Sequence, residues 1–385
     1  MKYKLADICF YAKGKIDVSG LTDTHYISTE NMLPNKGGVT TASSLPSIAQ
    51  AQAYRKGDVL VSNIRPYFKK IWFADCNGGC SNDVLVFRAK EDTDAGFLYY
   101  VLANDAFFDY STATSKGTKM PRGDKTAIMQ YEVPHFELST QKKIAGILSD
   151  IDDKIVLNAR INKNLEQQAM AIFNNAIEQS KSVTYVELGS LADVKGGKRL
   201  PKGANLMSIP NSHPYVRVRD LNDVVFASLS ANYEYVDDET QKTISRYITT
   251  TDDVLISIVG TIGLTAIVDK SLNMANLTEN CVKVTNLHGI SPEYLLLYLR
   301  SQHGSEEIKK GTVGAVQAKL PIKNIQALSV PLLPQSDLQS LNDTLKVLFN
   351  QLSINVAESK CLTDIRDSLL PKLMSGELDV SNLDL

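Results

Sequence analysis

The amino-acid sequence predicts an α+β fold in which two units with twisted, largely antiparallel sheets are separated by two long helices. Three observations support this prediction: two long heptad patterns, short β-rich runs bounded by Gly, Asn and Asp, and a repeat of both features in the same order. The expected segments are a first unit at 1–138, a helix at 139–181, a second unit at 182–335, and a helix with its tail at 336–385.

The first long helix is predicted from Ser139 to Gln179, because this stretch contains no proline and Ser139 and Thr140 can cap its free N–H groups. At ~1.5 Å per residue the helix would be roughly 55 Å long, which exceeds what one compact domain needs. We therefore interpret it as a spacer. Its seam positions recur every seven residues with one polar break: Ile144, Ile151, Asn158, Leu165 and Ile172.

The second long helix repeats this pattern 197 residues further along the chain, and Val133-Pro134 and Val330-Pro331 precede the two copies. A single polar seam residue fixes register, so the two helices are predicted to pair, and in an antiparallel pair the two asparagines would meet near the centre. The alternative is that each helix packs on its neighbouring unit with its asparagine solvated. The second seam comprises Leu341, Leu348, Asn355, Leu362 and Leu369.

Composition favours a cytoplasmic protein of two or three domains. The chain has 385 residues, 43% of them hydrophobic, and shows neither a signal-peptide pattern nor an apolar run of membrane-spanning length. Five cysteines, an odd number, agree with a reducing compartment, and Cys76 and Cys80 are more simply a loop with a buried thiol than a zinc site. A formal charge of -2 speaks against a uniform positive coat and does not exclude local basic surfaces.

Each unit is predicted to share one framework of strands. The run 56–62 matches 251–257, and 82–86 matches 280–284, so corresponding strands are expected in both units. One short helix should follow in each unit, at 97–108 and at 294–300. A closing loop follows, in which Lys116-Gly117-Thr118 is expected to correspond to Lys310-Gly311-Thr312.

The loops after the shared strands differ between the units, at 63–70 against 258–265 and at 119–125 against 313–319. Arg and Lys bind guanine edges or phosphates and Gln bridges adenine, so the sequence predicts two units that read different short sequences on one DNA duplex. A structural or merely solvated role is the alternative for every candidate. The candidate DNA contacts are Arg65, Tyr67, Lys69, Lys116, Thr118, Lys119, Arg122, Arg217, Arg219, Thr261, Lys310, Thr312, Gln317 and Lys319.

These motifs, in this order, resemble the specificity subunit of type I restriction-modification enzymes over essentially the whole chain. One departure is that the second helix lacks the Gln-Lys-Lys start that the first has at 141–143. Besides the two helices, the resemblance is carried by the stretches 26–33 (YISTENML), 57–70 (GDVLVSNIRPYFKK), 79–88 (GCSNDVLVFR), 253–263 (DVLISIVGTIG) and 369–378 (LLPKLMSGEL).

The resemblance implies two target-recognition domains and an antiparallel coiled coil with pseudo-twofold symmetry, each domain recognising one half of a split, asymmetric target in double-stranded DNA. Helix length would set the gap between the halves, so an inserted helical turn should lengthen it. The implied partners are two modification subunits, which carry S-adenosylmethionine and methylate adenine, and ATP- and Mg-dependent restriction subunits. The chain itself would hold no cofactor or metal and would have no membrane partner.

The residues independently favour a protein without catalytic chemistry. The sequence contains no Asn-Pro-Pro-Tyr or Asp-Pro-Pro-Tyr loop for a flipped adenine, no nucleotide-binding Gly-rich loop and no metal-spaced His pair. Asp150, Asp152 and Asp153 point in different directions on a regular helix and are expected to be solvated. Two alternatives remain, a DNA-modifying enzyme in its own right and a coiled-coil scaffold with two modules that do not bind nucleic acid. Salt-dependent duplex binding would separate a DNA reader from the scaffold.

Overall fold

The computed structural model describes residues 2–230, 233–314, 317–381 and 383. Packing divides the chain into two compact units, which we call unit 1 (Met1–Leu157 with Glu358–Leu385) and unit 2 (Asn158–Ala357). Both dividing points fall inside the long helices, because each half of each helix packs in the core of its own unit. The four segments expected from the sequence separate the sheet-containing units from the long helices, whereas the two compact units divide within the helices. The four-segment division stays a prediction.

Unit 1 contains three sheets, and two aromatic-rich helices share a core with strands of two of them. Two single-turn helices, Val18–Gly20 and Pro66–Phe68, lie between strands. The elements in chain order are β1 (Lys2–Lys4), α1 (Leu5–Ile8), β2 (Cys9–Tyr11), β3 (Lys15–Asp17), β4 (Tyr26–Ile27), β5 (Gln50–Tyr54), β6 (Val59–Ser62), β7 (Ile71–Phe73), β8 (Gly78–Cys80), β9 (Val84–Ala89), α2 (Ala95–Ala103), α3 (Asp105–Ala113), α4 (Lys125–Ile128), β10 (Glu132–Pro134) and α5 (Leu138–Gln179).

The sheets of unit 1 are antiparallel except where β4 pairs with β8. Their strand orders are β2-β9-β6-β7, β3-β5-β8-β4 and β1-β10. Phe87 of β9 packs with Phe97, Phe107 and Phe108 of the two helices, so burial of aromatic rings holds helices and sheet together. Trp72 of β7 lies against a second, smaller core, where its ring meets the Tyr54 ring edge-on at 5.7 Å.

Unit 2 repeats this plan. Two further single-turn helices are Val218–Leu221 and Lys270–Leu272. Its elements are β11 (Thr184–Glu187), α6 (Leu188–Leu191), β12 (Asp193–Gly196), β13 (Tyr215–Val216), β14 (Phe226–Ala227), α7 (Asp238–Ile244), β15 (Val254–Ser257), β16 (Thr265–Val268), β17 (Asn276–Leu277), β18 (Cys281–Thr285), α8 (Pro292–Arg300), α9 (Gln302–Gly311), α10 (Ile322–Gln326), β19 (Ser329–Leu332) and α11 (Gln335–Ser375).

The main sheet of unit 2 has the order β12-β18-β15-β16-β14, and the pairs β13-β17 and β11-β19 form two small sheets. Pairing is antiparallel apart from β14 with β16 and β13 with β17. Tyr294 and Tyr298 of α8 are buried and donate their hydroxyl hydrogens to the carbonyl oxygens of Pro331 and Ser329, which fastens α8 to β19. Phe173 of α5 packs on the Tyr294 ring at 5.0 Å.

The predicted correspondence between the central strands of the two units is confirmed. Strands β6 and β15 each lie between two antiparallel neighbours and each follow a buried aspartate, Asp58 or Asp253. Asp58 accepts hydrogen bonds of 2.7 Å from both Nε and one terminal nitrogen of Arg88, and Asp253 accepts one of 2.9 Å from Lys283. A buried carboxylate requires such a partner, so the shared framework includes an ion pair that joins neighbouring strands.

The long helices follow the predicted bounds closely, and segments of both pack together within each unit. Ile144 and Leu148 of α5 share a core with Leu370 and Leu373 of α11 in unit 1. Successive contacts there show opposite helix directions, since later residues of α5 meet earlier residues of the C-terminal segment: Lys143 with Ser381 at 2.6 Å, Asp152 with Arg366 at 2.7 Å and Lys154 with Glu358 at 3.3 Å. The predicted α+β class with paired long helices is confirmed.

The seam differs in detail from the heptad pattern. Ile172 is 37% exposed, and Phe173 is buried instead. The Phe173 ring packs on the buried Tyr294 ring in the core of unit 2. Asn355 of α11 donates a hydrogen bond of 2.8 Å to Asn162. Among the other pairing candidates, Ile144, Asn158 and Leu341 are buried, whereas Ile151, Leu165, Leu348 and Leu362 are half-buried.

Two other expectations about helices are wrong. Helix α5 begins at Leu138, so Ser139 and Thr140 lie in its first turn rather than at its cap. Each unit also has two short helices where one was expected. In unit 1, α2 ends at Ala103, inside the expected helix 97–108; in unit 2, α8 covers the expected 294–300 and ends at Arg300, but α9 follows it. The residues after these ends are Asn104 and Ser301. Both residues cap the following helix through a side-chain oxygen, Asn104 for Ala106 N–H and Ser301 for Gly304 N–H.

One polar contact between the long helices should matter strongly for unit 1. Asp152 of α5 binds Arg366 of α11 at 2.7 Å and accepts a hydrogen bond of 2.8 Å from the Tyr100 hydroxyl. Replacing Asp152 by alanine should lower the free energy of unfolding of unit 1 by about 2 kcal/mol, because Arg366 and Tyr100 both lose their partner. Urea denaturation followed by circular dichroism measures the change.

Asp153 provides the matched control, since it is the next residue on the helix and is exposed. Asp153→Ala should leave the denaturation midpoint within experimental error. Equal midpoints for the two variants would contradict a stabilising role of Asp152.

Candidate nucleic-acid interface

Three loops meet at one end of the β6 strand in unit 1, and we call residues 33–38, 63–70 and 115–124 the unit 1 loop surface. Main-chain hydrogen bonds of 2.8 Å join them: Arg65 N–H donates to Pro121, Asn35 N–H to Phe68, and Lys36 N–H to Lys69. The structure therefore brings together the two loops that sequence differences predicted, and it adds a third loop that the sequence analysis missed.

The backbone of this surface is unusual. Asn35, Lys36, Arg65 and Lys69 all have φ between 50° and 62°, in the left-handed region that residues other than glycine rarely adopt. Such conformations cost free energy and concentrate at functional sites. Arg65 is doubly constrained, because Pro66 follows it directly.

Most cations of the unit 1 loop surface are ion-paired. Lys36 and Lys69 both bind Asp105 of α3, at 2.8 and 3.0 Å. Lys116 binds Asp124 at 2.6 Å, and the hydrogen bond between them raises the pKa of Lys116 and lowers that of Asp124. Arg122 binds Asp83 at 3.0 Å. Three of the predicted DNA contacts in this unit, Lys69, Lys116 and Arg122, therefore already have carboxylate partners.

Arg65 differs from these cations. Its guanidinium makes no hydrogen bond or ion pair within the described chain, and its Nε is buried without a partner. It lines a cavity of about 260 Å³ together with Lys70 and Met120. Tyr67, Phe68 and Met120 expose apolar surface nearby, and Thr118 and Lys119 are exposed. This cavity can accept a planar hydrogen-bonding group, which the arginine fork would bind in two places.

The corresponding loops of unit 2 correct the predicted alignment of the repeats. Lys116 and Arg122 exchange main-chain hydrogen bonds in unit 1, and Val313 and Lys319 do so in unit 2. Gly117 therefore corresponds to Gly314, and both have a φ near 95°, at 94° and 99°. Gly311 instead ends helix α9, so the expected match of Lys116-Gly117-Thr118 with Lys310-Gly311-Thr312 is wrong.

The candidates of unit 2 lie in three places. Thr261, Gln317 and Lys319 are exposed on two loops that a bridge between Val259 and Lys319 brings together. Lys310 and Thr312 lie at the end of α9, where Lys310 binds Glu307 at 3.1 Å and the Thr312 hydroxyl donates to Ile308.

Arg217 precedes the single-turn helix Val218–Leu221 and Arg219 lies within it; both bind one carboxylate, that of Glu234, which Arg219 meets at 2.7 Å. The contacts described for these two arginines therefore lie within unit 2.

The described residues contain no group of three or more His, Cys, Asp or Glu side chains placed to hold a metal ion. Burial raises the pKa of Cys9, Cys80 and Cys281 to about 12 each, so these thiols are protonated at neutral pH and poor nucleophiles. In the part of the chain that the structure describes, no helix is long and apolar enough to cross a membrane.

Comparison with known proteins identifies the family. The family model for the type I restriction modification DNA specificity domain matches residues 1–167 and 180–362. The type I restriction enzyme HindI specificity subunit of Haemophilus influenzae is 22% identical over 463 aligned positions, covering 98% of this chain and 99% of that protein. The MjaIX specificity subunit of Methanocaldococcus jannaschii is 23% identical over 317 positions, covering 76% and 71%.

The fold agrees with these matches. The crystal structure of the type I restriction-modification system S subunit from M. genitalium superimposes with a TM-score of 0.59 at 18% identity, covering 97% of this chain and 96% of that one. The chain belongs to the type I restriction modification DNA specificity family. It provides DNA sequence specificity to a restriction-modification complex and is not itself a catalytic subunit, so DNA and the other subunits of that complex are its partners. Membership also accords with a chain that holds no cofactor.

Proposed function

We propose that this chain directs its complex to a split, asymmetric DNA target, with unit 1 and unit 2 each reading one half. The observation that carries this proposal is the shared loop frame with different side chains. Ile64 and Arg122 in unit 1 occupy the bridge positions of Val259 and Lys319 in unit 2. The strands and bridges are common to both, whereas the exposed side chains differ, and base recognition depends on exposed side chains.

The target-recognition domains in this proposal are 1–138 and 182–335, and the helical segments 139–181 and 336–385 connect them. The unpaired state of Arg65 and the exposure of Lys119 support these two as leading contacts in unit 1. Exposure and the connecting bridge support Thr261, Gln317 and Lys319 in unit 2. Cations already bound to carboxylates, such as Arg217 and Arg219, rank lower.

The complex would contain two modification subunits, which supply S-adenosylmethionine and adenine methylation, and restriction subunits that supply ATP- and Mg-dependent chemistry. The chain described here would hold none of these cofactors and would act in the cytoplasm. Its contribution to the reaction is positional, because it decides which adenines the modification subunits reach.

Genome-wide mapping of methylated adenines tests this function. The full-length chain is coexpressed with its modification subunit in a host without that system, and the control expresses the modification subunit alone. We expect methylation at a two-part motif with an unspecific gap, present only when the chain is present. The same methylation with and without the chain would overturn the proposed function.

A further inference from the structure

One carboxylate beside the unit 1 loop surface, at the start of α3, binds two lysines from two different loops of that surface. Asp105 binds Lys36 Nζ through Oδ1 at 2.8 Å and Lys69 Nζ through Oδ2 at 3.0 Å. The Asp105 side chain is 58% exposed, whereas the lysine side chains are 23% and 28% exposed. The carboxylate is therefore more exposed to solvent than either lysine that it binds.

Asp105 is ionised at neutral pH. Partial burial acts to raise its pKa, but the hydrogen bonds from Lys36 and Lys69 outweigh this effect and lower the pKa. Two oxygens of one anion thus receive hydrogen bonds from two ammonium groups, which is also how a DNA phosphate binds paired lysines.

Loop assembly does not require this carboxylate. The loops of Lys36 and Lys69 are already joined by main-chain hydrogen bonds of 2.8 Å, from Asn35 N–H to Phe68 and from Lys36 N–H to Lys69. An exposed ion pair adds little to folding stability, because water screens it. An acidic side chain is also favourable in the first turn of α3, where Asp105 lies, but that position alone does not require its two oxygens to bind lysines from two loops.

Electrostatics gives a better explanation. Binding of unrelated DNA comes almost entirely from cations that neutralise phosphates, whereas a matching sequence adds base contacts. A carboxylate that must be displaced from its lysines opposes both kinds of binding, but only matching DNA has base contacts to offset the cost. Lys116 and Arg122 of the same surface are likewise bound to carboxylates, each to one, at Asp124 and Asp83.

We propose that Asp105 takes the place of a DNA phosphate on Lys36 and Lys69 and thereby suppresses binding of unit 1 to unrelated DNA. This inference rests on the proposed DNA-reading function of unit 1. Lys36 and Lys69 bind backbone phosphates once a matching duplex displaces Asp105, and Asp105 acts as a residue that determines specificity without touching a base.

The test compares Asp105→Asn with the unchanged full-length chain, each in complex with its modification subunit, on a labelled duplex of unrelated sequence and on the target duplex. Asp105→Asn should bind the unrelated duplex about three- to tenfold more tightly at low salt. Freeing two lysines should also steepen the slope of log affinity against log salt by up to about 1.8. The ratio of target to unrelated affinity should fall.

Glu91→Gln is the matched control for charge. Glu91 is exposed, makes no ion pair within the described chain, and follows the end of β9 opposite to Asp83. The Glu91→Gln substitution removes the same charge from the same unit and should leave the affinity for unrelated DNA nearly unchanged. An equal gain in affinity for unrelated DNA in this control would show that net charge alone causes the effect of Asp105→Asn, and would overturn the proposal.

A double-mutant cycle adds a second criterion. Lys36→Gln should hardly change unrelated binding when Asp105 is present, and should reverse part of the gain when Asp105 is asparagine. The inference would be overturned if Asp105→Asn bound the unrelated duplex no more tightly than the unchanged chain. It would also be overturned if Lys36→Gln had the same effect with aspartate and with asparagine at position 105. Absence of any target preference in the unchanged complex would instead overturn the proposed function, and the measurement on unrelated DNA would still decide the role of Asp105.

Discussion

Replacing Arg65 by alanine is expected to abolish recognition of one half of the target while the other half is still read. Arg65 has a buried Nε without a partner, a strained backbone and a place in a surface cavity. A two-point contact of arginine with guanine contributes about 1–3 kcal/mol of discrimination, so target affinity should fall by roughly 10- to 100-fold. Methylation mapping with the variant should show a motif degenerate in one half only.

Arg55→Ala is the matched control, because Arg55 is exposed and precedes β6, whereas Arg65 follows it. It should leave both halves of the motif intact. A uniform decrease of methylation across all sites in Arg65→Ala would identify a phosphate contact and contradict base reading. Gln317→Ala in unit 2 should produce the complementary result, a motif that is degenerate in the other half.

Arg300→Ala should produce the largest loss of stability in unit 2, about 3 kcal/mol. Arg300 is the last residue of α8. Its guanidinium donates hydrogen bonds to the Thr265 carbonyl at 2.6 Å, the Thr265 hydroxyl at 3.1 Å and the Val224 carbonyl. It also lies 3.7 Å from Glu166 of α5. Removing it deprives the buried Thr265 and the half-buried Val224 of this hydrogen-bond donor. Hydrogen exchange of the β16 amides should accelerate strongly.

Arg246→Ala controls for the loss of an arginine from the same unit, since Arg246 is exposed and makes no ion pair within the described chain. Its exchange rates should match those of the unchanged protein. Arg300→Lys should fall between the two variants, because an ammonium group can reach one carbonyl but cannot replace the planar fork. Slow hydrogen exchange of the β16 amides in Arg300→Ala would contradict the proposed stabilising role of the Arg300 hydrogen bonds.

The fold could be predicted from the sequence because its main signals are periodic and occur twice. Both long helices carry heptad patterns and the first is free of proline, and the central strands β6 and β15 carry the same pattern of apolar residues after an aspartate. Local breaks were harder to foresee. Asn104 and Ser301 each end one helix and cap the next, and single polar residues inside apolar stretches give only a weak signal.

The loop chemistry was less predictable, because it depends on residues that are distant along the chain. Lysine and arginine clusters point to an anion-binding surface, but nothing in the sequence around Lys69 reveals that Asp105 binds it. Lys36 was missed although Asn35-Lys36-Gly37-Gly38 is a strong turn signal. The sequence alignment of the two repeats relied on the Lys-Gly-Thr that both contain, whereas the main-chain bridges align Gly117 with Gly314.

Trp72, which packs on Tyr54 in unit 1, is the single tryptophan of the chain. Its intrinsic fluorescence therefore reports the environment of unit 1, while unit 2 contributes only tyrosine emission. Fluorescence excited at wavelengths that only indole absorbs will follow melting of unit 1, and circular dichroism will follow both units. A single titration with two optical signals thus separates the stabilities of the two halves without any added label.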